Sequence, residues 1–143
     1  MNRDTQKTLV RRLLLDGITK GSDAIFDELL APSYADHNVI PGLPKPLPNR
    51  DVFKQVIAAF HASFPGFTLE PDGEMIAEGR RVAVPFVFRG KNKGEFMGRP
   101  ATGKDVTMRG IAIYVFGEDS LIHEAFVQED IHGMLSQLGF VPG

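Results

Sequence analysis

The stretch Ser120 to Gly139, SLIHEAFVQEDIHGMLSQLG, changes its period partway along. From Ser120 to Asp130 it reads as a strand, and Met134, Leu135 and Leu138 then recur as one side of a short helix. Strand side chains point alternately to opposite faces, so Ile122, Glu124, Phe126, Gln128 and Asp130 are expected to share one face. A core face would not carry Glu124 and Asp130, and a solvent face would not carry Ile122 and Phe126. The mixture fits the wall of a pocket, and a carboxylate pair, Glu129-Asp130, sits where strand gives way to helix.

Working outward, Lys104 to Phe116 reads as a long strand joined to the last one by a turn at Gly117-Glu118-Asp119. Val82 to Arg89 alternates as well, and its Pro85 lacks a ladder donor and so belongs at an edge or bulge. Phe67 to Glu78 gives another strand, bent at Pro71-Asp72-Gly73, and Glu95-Phe96-Met97 a short apolar piece. The N-terminal half is helical. Leu9, Val10, Leu13 and Leu14 recur before Gly17, and Ile25, Phe26, Leu29 and Leu30 before Pro32. Asn49 caps a third helix with the stripe Val52, Phe53, Val56, Ile57, Phe60 and Phe64. Between the second and third helices lies an extended loop with four prolines from Pro41 to Pro48. Helices first, then an antiparallel meander, then a short helix make an α+β fold with helices on one face of a curved sheet.

The chain of 143 residues is one domain, 1–143, with 43% hydrophobic and 24% charged residues. Its formal net charge of -2, without a Lys/Arg run, argues against nucleic acid as a partner. It has no cysteine, which removes disulfides, thiolate catalysis and Cys-ligated metals. The apolar run near the N-terminus is too short for a signal peptide or a membrane span, so the expected compartment is the cytoplasm. Four scattered histidines form no metal-binding pattern, and no metal or other cofactor is expected. Gly98 to Asp105, GRPATGKD, approaches a phosphate-binding loop, but Asp105 stands where the hydroxyl belongs and a strand follows instead of a helix.

Asp130 has two readings from spacing alone: a buried carboxylate base beside Phe126, or the N-cap of the terminal helix. His37, after an aromatic in a stiff loop, either donates to a substrate oxygen or bonds to neighbouring backbone. His61 and His132 read as structural or exposed, and His123 falls on the opposite face of the strand from Asp130. Arg109 interrupts an apolar strand, either to meet a substrate carboxylate or ester or to pair with Glu124. Phe60, Phe64, Phe86, Phe96, Tyr114 and Phe126 are candidates to line a pocket for a flat ligand, alongside Gln128 and Glu124.

Several of these stretches resemble the SnoaL-like polyketide cyclase (ester cyclase) family of the nuclear-transport-factor-like superfamily. Tyr34-Ala35-Asp36-His37 is similar to its aromatic-x-Asp-His loop, and Ala62-Ser63-Phe64-Pro65 to its helix end. Gly90 to Lys104 follows its Gly-Thr-His-x-Gly-x-Phe-x-Gly-x-Pro-x-Thr-Gly-Lys stretch. Ile122-His123-Glu124-Ala125-Phe126, Asp130 and Gln137-Leu138-Gly139 follow its closing pattern. Lys91-Asn92 replaces the family's Thr-His and Phe126 its Trp, which points to a different substrate.

The resemblance implies a cone-shaped curved antiparallel sheet with the N-terminal helices on its concave face. It also implies a homodimer or homotetramer and cofactor-free acid–base chemistry, with intramolecular aldol closure of a polyketide ester as the model. Under it Asp130 is the catalytic acid/base, assisted by His37, and Asn92 joins Phe126, Gln128, Glu124, Arg109 and the aromatic set in binding a small molecule. The alternatives are isomerisation, dehydration or epoxide hydrolysis in the same pocket, the last through an Asp105–Arg109–Asp130 relay, or ligand binding without catalysis.

Overall fold

A computed structural model describes residues 1–142. Helix α1 (Arg3–Arg12) is capped by the Asn2 side chain and runs on into a wider π-helical segment, Leu13–Ile18. Ser22 caps α2 (Asp23–Leu29), and Asn49 caps α3 (Arg50–Ser63) by accepting from the Val52 N–H at 2.9 Å. The strands are β1 (Leu30–Asp36), β2 (Thr68–Pro71), β3 (Ile76–Glu78), β4 (Arg81–Lys91), β5 (Asp105–Phe116) and β6 (Ile122–Glu129). Helix α4 (Ile131–Leu138) ends at Gly139, whose positive φ of 79° closes the last turn. Among the described residues no helix is long and apolar enough to cross a membrane.

The fold is α+β. Its sheet runs β1-β6-β5-β4-β2, with β3 also on β4. Pro85 sits where β4 passes from β3 to β2, so its missing N–H faces a break in the neighbouring strand. Strand β1 lies in a stretch read from sequence as the end of a helix and the start of a loop. It pairs parallel to β6 and makes the sheet mixed. Its Pro32 is exposed on an edge strand, where proline costs little.

One irregularity sets the geometry of the last strand. Val115 pairs with Glu124 and Phe116 with Ile122, so His123 is an extra, unpaired residue in β6. The bulge shifts the alternation by one. Ile122, Ala125 and Val127 are buried, whereas Phe126 and Gln128 are exposed. The even-numbered face expected from Ile122 to Asp130 therefore does not exist as a unit.

The core fills the space between the helices and the concave side of β4, β5 and β6. Phe53 of α3 meets both Phe26 and Tyr34 edge-on, at 5.4 and 5.1 Å between ring centroids. The inward row of β5 is Val106, Met108, Gly110, Ala112, Tyr114 and Phe116. Gly110 and Ala112 interrupt that row of large side chains.

Asn92, expected to touch substrate, is instead a fully buried staple of the β4–β5 loop. Its amide donates to the Ser63 and Gly94 carbonyls, and its oxygen accepts from the Thr102 N–H and hydroxyl. Removing it strands several buried polar groups at once. Asn92→Ala should lower stability by about 3 kcal/mol in urea unfolding, since each orphaned group costs roughly 1–3 kcal/mol. A loss under about 1 kcal/mol would mean that the loop is held elsewhere.

Candidate functional site

The small residues of β5 leave a void against α3. The cavity is about 90 Å³, and its apolar wall includes Phe53, Phe60, Phe67, Phe86, Phe88, Met108, Ala112 and Val127. Four polar side chains reach it: Asp36, Asn38, Tyr114 and Glu129. A Cβ at Gly110 would meet Phe86 Cζ at 2.6 Å and Glu129 Cβ at 2.8 Å, so only glycine leaves room for both.

Asp36 ends β1 facing inward and is 6% exposed. Its Oδ2 accepts from the Tyr34 hydroxyl at 2.9 Å and its Oδ1 from the Asn38 backbone N–H at 2.9 Å. Burial raises its pKa, and these hydrogen bonds oppose the rise in part. Its own N–H and C=O pair with Leu47, which ties both ends of the proline-rich loop to β1.

Glu129 ends β6, and the Asn38 amide donates to its Oε1 at 2.6 Å. Burial pushes Glu129 up to about 6; the Asn38 hydrogen bond pulls against this, and the nearby Asp36 carboxylate adds to it. The Tyr114 hydroxyl is raised by burial and then by Asp36 and Glu129. Both carboxyl groups are raised chiefly by burial, so each holds its proton more firmly than an exposed carboxyl would. Such a pair can offer a base and an acid to one ligand.

A second hollow of about 780 Å³ opens beside the cavity. Its walls are the loop from Ile40 to Pro44, the face of α3 bearing Gln55 and Ala59, and Glu95-Phe96-Met97. Ile40, Val56 and Phe60 line both spaces.

Of the residues singled out from sequence, Phe60, Phe86 and Tyr114 line the cavity, Phe96 lines the outer hollow, and Phe64 is buried in the core behind. The others lie elsewhere. Asp130 is exposed and caps α4, accepting from the Gly133 N–H at 2.9 Å. His37 stacks on Phe126 with centroids 4.5 Å apart and approaches the Glu124 carboxylate at 3.0 Å, on the outer side of β6. Gln128 is exposed there too. Arg109 pairs with Asp72 at 3.2 Å instead of Glu124, and Asp105 with Lys91 at 3.6 Å, so no Asp105–Arg109–Asp130 relay assembles.

Of the remaining histidines, His61 meets the Ile18 carbonyl at 2.8 Å and His123 pairs with Asp119 at 2.9 Å. Among the described residues no group of three or more His, Asp or Glu is placed to hold a metal.

Asp36, Asn38 and Glu129 escaped the sequence reading. Asp36 stood in the quoted loop motif, yet the role went to its neighbour. The signal for Glu129 was the spacing of Ile122, Ala125 and Val127, whose first step is three residues and second is two. A step of three inside a strand marks a bulge.

A model of the SnoaL-like polyketide cyclase family matches residues 8–138. A search of curated protein sequences found no match. Among solved structures, TsrD from Streptomyces laurentii is similar at a TM-score of 0.84 and 23% identity, covering 99% of each chain. IdmH from Streptomyces antibioticus, a candidate polyketide cyclase, gives 0.78 at 27% identity over 94% of this chain and 98% of its own. AclR from Streptomyces galilaeus, a candidate hydroxylase, gives 0.81 at 19% identity over 99% of this chain and 85% of its own.

The Glu129 environment has a measurable cost. Its pKa rises from 4.5 to about 6 on folding, so its contribution to stability is intact below 4.5 and is lost as pH rises through 6. The loss amounts to about 1–2 kcal/mol at neutral pH. Glu129→Gln, which mimics the protonated acid, should therefore unfold at higher urea than the native protein at pH 7.5 and match it near pH 4.5. A difference that does not change with pH would refute this account.

Proposed function

The chain belongs to the SnoaL-like polyketide cyclase family, and we propose that it performs acid–base catalysis on a carbonyl-bearing, polyketide-like small molecule held in the inner cavity. The observation that carries the reading is the desolvated Asp36–Glu129 pair at the polar end of an otherwise apolar cavity. A carbon flanked by two carbonyls is acidic enough for a carboxylate with raised pKa to deprotonate it. Glu129 takes that proton, and Asp36 in its protonated form donates to the carbonyl that becomes the alcohol. The Asn38 amide orients Glu129, and the Tyr114 hydroxyl stands ready to hydrogen-bond the enolate oxygen. General acid–base catalysis of this kind is worth ~10²–10⁴ in rate. Proton transfer between carbon and oxygen by two carboxyl groups needs no cofactor.

The catalytic role anticipated at Asp130 is assigned in this proposal to the preceding residue. His37 becomes a support, since it covers Phe126 outside the sheet and follows Asp36 directly in the chain. A second reading, ligand binding without turnover, draws on the same cavity and differs only in outcome. Self-association is also proposed. Ile111, Ile113 and Phe126 are exposed at 53%, 37% and 42% on the outer side of β5 and β6, a row that a second copy would cover.

A screen of aromatic polyketide esters and smaller β-dicarbonyls tests the reading. Turnover should fall at least 100-fold in Glu129→Gln while binding persists, and kcat/KM should pass through a maximum with pH, because Glu129 must be ionised while Asp36 keeps its proton. Asp130→Asn should stay close to native activity, because Asn is an equally good N-cap. Loss of turnover in Asp130→Asn with Glu129→Gln intact would return the role to Asp130. Binding without turnover in every variant would leave a ligand-holding protein. Sedimentation of Phe126→Lys, with a lower mass than native, would support association through the sheet, and equal masses would reject it.

A further inference from the structure

The geometry points to a two-part substrate: a small dicarbonyl head in the inner cavity, and a larger, apolar, non-anionic body in the outer hollow beneath the proline-rich loop. This rests on the acid–base reading of the inner cavity and extends it to what else must bind.

Size makes the first argument. The inner cavity, at about 90 Å³, holds a few heavy atoms. Sites for whole drug-sized ligands run from ~300 to ~1,000 Å³. The outer hollow, at about 780 Å³, falls within that range, and it has almost none of the chemistry found inside. The two spaces adjoin at Ile40, Val56 and Phe60, an apolar boundary that one ligand would bridge.

Charge makes the second. Neither lining includes a lysine or an arginine; the carboxyl groups are Asp36 and Glu129 within and Glu95 outside. A carboxylate or phosphate on the body would meet Glu95 and no cation, and would lose hydration without a charged partner in exchange. Phe60 and Phe96, with ring centroids 5.7 Å apart, present aromatic surface to a flat body. The same lining argues against a peptide or a second protein as occupant, because the hollow offers few side-chain hydrogen-bond partners beyond Gln55, Ser63 and Glu95.

The test uses calorimetric affinities of the intact protein for probes with a common head: pentane-2,4-dione, 1-phenylbutane-1,3-dione and 1-(2-naphthyl)butane-1,3-dione, with 4-(3-oxobutanoyl)benzoate as the anionic member. The naphthyl probe should bind at least about 30-fold more tightly than pentane-2,4-dione, from the apolar area that the hollow removes from water. The benzoate should bind at least about tenfold more weakly than the phenyl compound. In Ala59→Trp the indole fills the hollow from α3, and the ratio of naphthyl to pentane-2,4-dione affinity should fall below about three.

A ratio below three in the native protein, a ratio preserved in Ala59→Trp, or equal binding of the benzoate would each overturn the proposal. The readout is a ratio within each protein, so a partly folded variant does not mimic the expected result. Binding is measured apart from turnover. The bipartite site thus survives or fails independently of Glu129 as base.

Discussion

The unpaired His123 in the β5–β6 ladder decides which residues of the last strand meet the core and which meet solvent. A bulge adds one residue, and because strand side chains alternate strictly, one residue is enough to invert every side chain that follows. Ile122 before it and Ala125 and Val127 after it all pack inward. Glu129 is thereby carried to the cavity, while Glu124 and Phe126 are turned out to meet His37. Without the bulge, Glu124, Phe126 and Gln128 would press two polar groups and a large ring into the space under α3. That space holds the small cavity walled by Phe60, Phe86 and Phe88, which has no room for them. The bulge is therefore coupled to the packing of the helices, not a local accident of the hairpin.

The periods of the sequence made the architecture legible. The side-chain oxygen of Asn49 marked one helix start, and β4, β5 and β6 fell close to their expected bounds. What escaped had a common cause. Period arguments assume regular pairing, and the two departures were a parallel edge strand interrupted by Pro32 and a strand with one extra residue. The edge strand was hidden because proline and short polar residues read as loop chemistry, although an edge tolerates both. The site was half legible for the same reason. Phe60, Phe86 and Tyr114 lie on regular elements and were placed by type and spacing. Asp36 and Glu129 lie just where β1 and β6 end, and their orientation depends on pairings that no local pattern states.

Acidic groups rarely go uncompensated in an apolar cavity, since the charged form loses hydration there. In this protein the compensation is incomplete. Asp36 has two donors, from Tyr34 and Asn38, and Glu129 has one, from the Asn38 side chain. The exposed ion pairs on the surface, such as Arg80 with Glu118, contribute little to stability and could be lost without consequence. The inner pair differs because no cation reaches the cavity to hold both groups ionised. A lysine or arginine in that lining would stabilise the carboxylates and remove their basicity together.

Asn38 connects the inner chemistry with the outer hollow. Its backbone N–H meets Asp36 and its amide meets Glu129, so one residue contacts both acids. It also lies in the loop whose later part, Ile40 to Pro44, walls the hollow, and which the Asp36–Leu47 backbone pair ties at both ends. A strap anchored in this way cannot shift its wall without disturbing its amide. Displacement of Ile40 to Pro44 by a ligand would strain or break the 2.6 Å bond to Glu129, and loss of that donor would raise the carboxyl pKa further. The proline content of the strap then has a mechanical reading. Stiffness between Pro41 and Pro48 would limit the motion that a body bound as proposed could impose, and so would hold Glu129 in its orientation.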